Sequence, residues 1–132
     1  MILVDTSVFI GFFRKTDGAP YRKMEYILQN DLPYGICCYI YQELLQGALD
    51  KREFEMLKDY LDPLPFFEFN YGKQSYESAA RMFFDCRRKG ITVRSSIDLL
   101  ITQIAIENNL YLLHDDTDYT RIAEVNKNLK FY

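Results

Sequence analysis

A chain of 132 residues has the size of one domain, long enough to bury roughly two-thirds of the surface its unfolded form exposes. With 48% hydrophobic and 16% aromatic residues it is not a disordered sequence, and no apolar run approaches the roughly 20 residues that span a bilayer. A net charge of −3 disfavours diffuse attraction to nucleic acid or an anionic membrane, so a contact with either has to come from a local cluster.

Residues 1–4 form a short continuous apolar run, as expected of a strand buried on both faces, and residues 7–13 predict a short helix before a break over 16–20. Over 21–30 the apolar positions Met24, Ile27 and Leu28 recur at helical spacing, and Pro33 ends the segment. Residues 34–38 read as a second strand, followed by a helix over about 40–48 with Tyr41, Leu44, Leu45 and Ala48 on one stripe. A helix over about 52–61 carries Phe54, Leu57 and Leu61 and is closed by Pro63 and Pro65. Residues 66–69 predict a third strand, and 71–89 a long helix with Ala79, Ala80, Phe83 and Cys86 inward and Gly90 as its cap. The helix over 96–108 is apolar almost all round, through Ile97, Leu99, Leu100, Ile101, Ile104, Ala105 and Ile106, and so belongs at the centre. Residues 111–113 give a fourth strand, 117–125 a short helix and 129–132 a last strand. No repeat, low-complexity tract or Gly/Ser linker divides the chain. Short strands alternating with helices point to an α/β protein with a mainly parallel sheet covered on both faces.

The N-terminus has neither the basic start nor the small-residue cleavage pattern of a secretory signal, so a cytoplasmic location is expected. Cys37 and Cys38 are adjacent and Cys86 is left over, which makes a poor disulfide framework and offers no CxxC metal knuckle. All three are expected as small core hydrophobes.

Ligands of open α/β sheets bind beyond the carboxyl ends of the strands. Asp5 leaves the first strand at that end, and YLLHDDTDY repeats the arrangement, with His114, Asp115, Asp116 and Asp118 following residues 111–113. Asp98 lies in the first turn of the most apolar helix, on the face of Ile101, Thr102 and Ala105, where an ionised carboxylate loses hydration. The residues alone leave two readings of it open: a site acid, or a capping-box partner of Ser95 favoured by the helix N-terminus. Glu43 falls beside Ile40, away from the apolar stripe, and periodicity makes it a solvated helix residue. His114 is expected to be structural, and Ser95 and Ser96 to be helix caps. Arg87, Arg88, Lys89 and Arg94 form the main basic cluster, with Arg14 and Lys15 a weaker second; either alone reads as a solvated helix end.

Taken in order, DTS after the opening apolar run, a helical Glu followed by LLQG, the segment GITVRSSIDLLITQIAIENNLYLLHDD and the tail DTDYTRIAEV resemble a PIN domain, more narrowly the small single-domain VapC-type ribonuclease toxins. The resemblance covers essentially the whole chain, 1–132, as one PIN-like domain. It implies a three-layer α/β/α fold with a short-stranded, mainly parallel central sheet. By the resemblance Asp5, Glu43, Asp98 and Asp116 correspond to the acidic metal-site residues, with Thr6 a supporting hydroxyl and Asp118 an auxiliary acid. The family's D-x-D-F pattern stands here as Asp116-Thr117-Asp118-Tyr119, with Tyr where Phe is commoner. An extra Asp115 leaves open which of two neighbours faces the site, since adjacent residues leaving a strand point in opposite directions.

Several carboxylates within a few ångströms repel, so a cleft that keeps them ionised needs a cation or raises some of their pKa values. Hard all-oxygen ligands suit Mg2+, or Mn2+, and such an ion polarises a phosphate, activates water and stabilises the departing oxygen. The implied reaction is metal-dependent endonucleolytic hydrolysis of RNA. In it Asp5, Asp98 and Asp116 are direct or water-bridged ligands and Glu43 holds a water or helps deprotonate it, while Arg87, Arg88, Lys89 and Arg94 contact phosphates. The resemblance further implies a small antitoxin partner and a homodimer. Apolar residues such as Phe12, Phe13, Tyr39, Tyr41, Phe66 and Phe67, more than one small core absorbs, are compatible with both. Two other readings stand beside this one. A phosphotransferase of the haloacid dehalogenase type wants a second acid two positions after Asp5, where Ser7 stands. A catalytically inactive PIN-like module that only binds RNA or protein would keep four acids at an unforced electrostatic cost.

Overall fold

The computed structural model describes all residues, Met1–Tyr132. Five strands, β1 (Ile2–Val4), β2 (Tyr34–Cys37), β3 (Phe66–Phe67), β4 (Tyr111–Leu113) and β5 (Lys130–Phe131), form one sheet in the order β3-β2-β1-β4-β5. Every pairing is parallel. Because β1 is central, Ile2, Leu3 and Val4 are buried on both faces, which is why that segment carries no polar alternation. The sheet is parallel, so the chain returns between strands through helices: α1 (Thr6–Phe13), α2 (Ala19–Gln29), α3 (Cys38–Gln46), α4 (Lys51–Leu61), α5 (Lys73–Arg88), α6 (Ser96–Glu107) and α7 (Thr117–Val125). Helix α1 packs on α2 and α3, and α3 on α4; α5, α6 and α7 form a second group, and α3 meets α6. The result is the α/β/α layering implied by the sequence pattern. Leu99 and the run Ile101–Ala105 of α6 are all buried, as its nearly all-round apolar character requires.

The register places the carboxyl ends of β1, β2 and β4 on one edge, with Leu3 opposite both Gly35 and Leu112 and Val4 opposite Leu113. Asp5 and His114 therefore leave neighbouring strands side by side, and the Asp5 amide still donates to the Leu113 carbonyl at 2.9 Å.

Several boundaries differ from the sequence expectation for local reasons. Helix α1 begins at Thr6 because Asp5 caps it, its Oδ2 accepting the Ser7 amide at 3.0 Å. Helix α3 begins at Cys38, directly after the last residue of β2, and Cys38 is exposed there, so only Cys37 and Cys86 are the core thiols expected. The strands expected over 66–69 and 129–132 shrink to two residues each, since only those pair with β2 and β4 at the sheet's margins. Gly90 follows α5 at φ +70 and closes it, with the Ile91 amide reaching the Cys86 carbonyl at 2.9 Å. No helix is long and apolar enough to cross a membrane.

Candidate active site

Asp5 is 5% exposed and both of its oxygens are engaged. Oδ2 accepts from the Ser7 amide at 3.0 Å and the Ser7 hydroxyl at 2.6 Å, while Oδ1 accepts from the buried Tyr119 hydroxyl at 2.7 Å. The next residue, Thr6, donates its hydroxyl to Glu43 Oε2 at 2.6 Å across 37 positions of sequence. Glu43 is half-buried on α3, and that bond is what draws it toward the strand exits and away from the solvated position its periodicity suggests.

At the exit of β4 the two adjacent acids separate. Asp115 is exposed; its carboxylate accepts from Tyr21 and its amide donates to Ser7 Oγ at 3.0 Å. Asp116 caps α7, Oδ1 accepting the Asp118 amide at 2.9 Å and Arg94 Nη2 at 3.1 Å. Asp118 is 1% exposed and accepts from the Arg94 amide at 3.0 Å, Arg94 Nε at 3.2 Å and Arg121 Nη1 at 3.2 Å. Burial alone would raise its carboxyl, but these donors and positive charges outweigh it and hold Asp118 below the ordinary carboxylate value.

Asp98 is different. Ser95 caps α6 by accepting the Ile97 amide at 3.2 Å, and no hydrogen bond holds the Asp98 carboxylate, so the reciprocal capping box is not formed. Half-buried and unpartnered, its carboxyl is pushed up from 3.8 to about 7, first by burial and then by the charges of Asp5, Asp116, Asp118 and Glu43. Residues drawn from four separate stretches of sequence thus share one electrostatic field.

The basic residues divide. Arg87, Arg88 and Lys89 are exposed at the end of α5, with the guanidinium of Arg87 5.8 Å from the Phe83 ring centre and that of Arg88 5.7 Å from that of Phe84. Arg94, expected to act with them on phosphate, pairs with Asp116 and Asp118. His114 lies between the rings of Tyr119 and Phe131, 5.1 and 4.7 Å between centres, and its Nδ1 accepts the Asp116 amide at 3.2 Å. Burial lowers its pKa against the opposing pull of Asp5 and Asp116, so the ring is a neutral acceptor that orients the Asp116 loop, the structural role expected of it. Ser7 and Tyr119 were not expected at the site. Ser7 is the last residue of the DTS motif, and Tyr119 stands where Phe is commoner in the family, so a hydroxyl in each place was the available signal.

As the side chains lie, no three carboxylates converge closely enough to hold a metal ion. Asp5 is turned to Ser7 and Tyr119, Glu43 to Thr6 and Asp116 to Arg94. The donor set nevertheless suits a hard divalent cation: it is all oxygen, and the Asp98 carboxyl has neither a cation nor a hydrogen-bond donor beside it.

Acids gathered at the carboxyl edge of a short parallel sheet define an α/β protein whose chemistry is run by carboxylates. A PIN-domain profile matches residues 2–125. Ribonuclease VapC11 of Mycobacterium tuberculosis and a VapC ribonuclease of Mycobacterium bovis are each 32% identical over 126 residues, covering 95% of this chain and 93% of the relative. The chain belongs to the PIN-domain family, on the VapC ribonuclease branch of it. Solved structures agree on the fold. VapBC2 from Rickettsia felis, bound to a promoter DNA fragment, matches with a TM-score of 0.74 at 20% identity, covering 100% of this chain and 98% of that one. VapBC-1 from nontypeable Haemophilus influenzae matches at 0.73 and 17% identity, covering 100% and 97%.

Proposed function

We propose that this chain is a divalent-metal-dependent endoribonuclease that hydrolyses RNA phosphodiester bonds, the toxin component of a type II toxin–antitoxin pair, working in the cytoplasm with Mg2+ or, in its place, Mn2+. The observation that carries the reading is the uncompensated Asp98 beside Asp5, Asp116, Asp118 and Glu43. The VapC relatives, named as ribonucleases, support the activity, and the VapBC structures support a protein partner of the antitoxin kind.

Asp5, Asp98 and Asp116 would hold the ion, with Glu43 beside them. When bound, such an ion supplies Lewis acidity toward a phosphoryl oxygen and toward water. The chain's own residues do the rest. Asp5 is held in one orientation by donors on both oxygens. Glu43 is fixed by Thr6 through Oε2, which leaves Oε1 to accept a proton from an attacking water. Asp118 neither needs nor offers an ion; it anchors Arg94, whose guanidinium then lies at the acidic edge and meets substrate phosphate there. Arg87, Arg88 and Lys89 supply further phosphate contacts along the RNA. A homodimer is supported by an apolar groove of about 320 Å³ between α5 and α6, lined by Tyr76, Ala80, Phe83 and Leu100.

The test is cleavage of a structured RNA by purified chain. Cleavage in Mg2+ that EDTA stops, and that Asp98→Asn lowers by about a hundredfold or more, is the expected outcome. Tight RNA binding with no cleavage in either metal would instead identify an inactive binding module.

A further inference from the structure

We propose that Tyr119 is a positioning residue of the acidic site, its phenol hydroxyl holding the Asp5 carboxylate in place while the other acids turn toward a divalent cation. The proposal rests on the metal-site reading above and goes beyond it, to a residue outside the acidic set.

Asp5 Oδ2 has two donors, both from Ser7, whereas Oδ1 has one, the Tyr119 hydroxyl at 2.7 Å. Removing that hydroxyl frees Oδ1 and lets the carboxylate swing about the oxygen that Ser7 still holds. Tyr119 is itself wholly buried, on the first turns of α7, so its own rotamer is fixed by packing. A phenylalanine would fill the same space. The hydroxyl is therefore not explained by packing, and a buried hydroxyl with no partner is costly, so the bond to Asp5 is what makes tyrosine tolerable there. The same ring packs at a tilt against His114, 5.1 Å between centres, and His114 Nδ1 accepts the Asp116 amide at 3.2 Å. One tyrosine thus touches both strand exits: it bonds the acid leaving β1 and packs on the histidine that orients the acid leaving β4. Groups that hold metal-ligating carboxylates in this way commonly change metal affinity by tenfold or more when removed.

The experiment compares wild-type chain, Tyr119→Phe and Asp5→Asn by calorimetric titration with Mn2+ in the absence of RNA, together with metal-dependent cleavage kinetics. For Tyr119→Phe the expected result is a metal-free circular dichroism spectrum like that of wild type and a Mn2+ dissociation constant raised about tenfold. The metal concentration for half-maximal cleavage should rise in parallel, with a much smaller fall in kcat at saturating metal. A folded Tyr119→Phe that binds Mn2+ as wild type does, while Asp5→Asn has lost binding, overturns the role of Tyr119 and leaves the metal site standing. Wild type that binds no Mn2+ overturns both. Should Tyr119→Phe fail to fold, wild type labelled with 13C at tyrosine Cζ decides: the Tyr119 resonance shifts on Mg2+ addition while that of exposed Tyr26 does not. An unmoved Tyr119 resonance at saturating Mg2+ overturns the proposal.

Discussion

Asp98 shows how a single side chain can cost stability at a proposed site. Its carboxyl titrates near 7 in the folded chain against 3.8 as the ordinary value, because burial and four neighbouring acids disfavour the ionised form. Between those two values the folded state holds a proton that the unfolded state has released. The contribution of Asp98 to metal-free stability therefore falls as pH rises from about 4 to about 7, and is flat above. Asp98→Asn removes that slope and should stabilise the metal-free protein at pH 7.5 by about 1–2 kcal/mol, the shift being discounted for a half-exposed group. Chemical denaturation at pH 5 and pH 7.5 checks it, and an equal stability difference at both values would contradict it. Paired with lost cleavage, a stabilised Asp98→Asn separates loss of chemistry from loss of fold. Neighbouring Asp118 behaves oppositely: its arginine partners keep it ionised, which is why two acids of one cluster differ so much.

At the scale of elements, the site follows from where short strands stop. Strands β1 and β4 are three residues each, so Asp5 and the His114–Asp116 stretch emerge together at the sheet edge. This much was legible in the sequence, since apolar runs that end abruptly in acids mark strand exits. The long apolar helix α6 and the cap at Gly90 were legible for similar local reasons. Glu43 was not: its link to Thr6 spans 37 residues, and helical periodicity carries no trace of such a contact. Nor did charge patterning separate Arg94 from Arg87, Arg88 and Lys89, because only the fold brings α7 under residue 94. The Ser95–Asp98 spacing suggested a capping box that the structure does not form, and only the resemblance to a known family favoured the site reading. Close packing at the sheet margin gives a further expectation. A Cβ on Gly35 of β2 would lie 2.4 Å from the Pro65 carbonyl oxygen and 2.8 Å from the Phe67 ring. Gly35→Ala must therefore push β3 away, at a cost of about 2 kcal/mol in urea denaturation; an unchanged midpoint would contradict that packing.

For the molecule as a whole, the difficulty is electrostatic. The chain carries a net charge of −3, its acids crowd one edge of the sheet, and its proposed substrate is a polyanion. The local cations are too few to resolve this: Arg94 and Arg121 are paired with Asp118, and Arg87, Arg88 and Lys89 lie in and just after the last turn of α5. A divalent ion at the acidic edge would resolve both conflicts at once, relieving the crowding and offering phosphate a positive partner. It must also displace the proton that Asp98 holds near neutrality, because a carboxylate binds metal only when ionised. The most direct measurement is calorimetric titration of Mg2+ into metal-free chain in buffers of different ionisation enthalpy, which counts the protons released. The expected result is release of about half a proton per chain at pH 7, falling toward zero by pH 8.5 and absent in Asp98→Asn. Binding without pH-dependent release, or no binding at all, would contradict a site in which crowded carboxylates await a divalent cation.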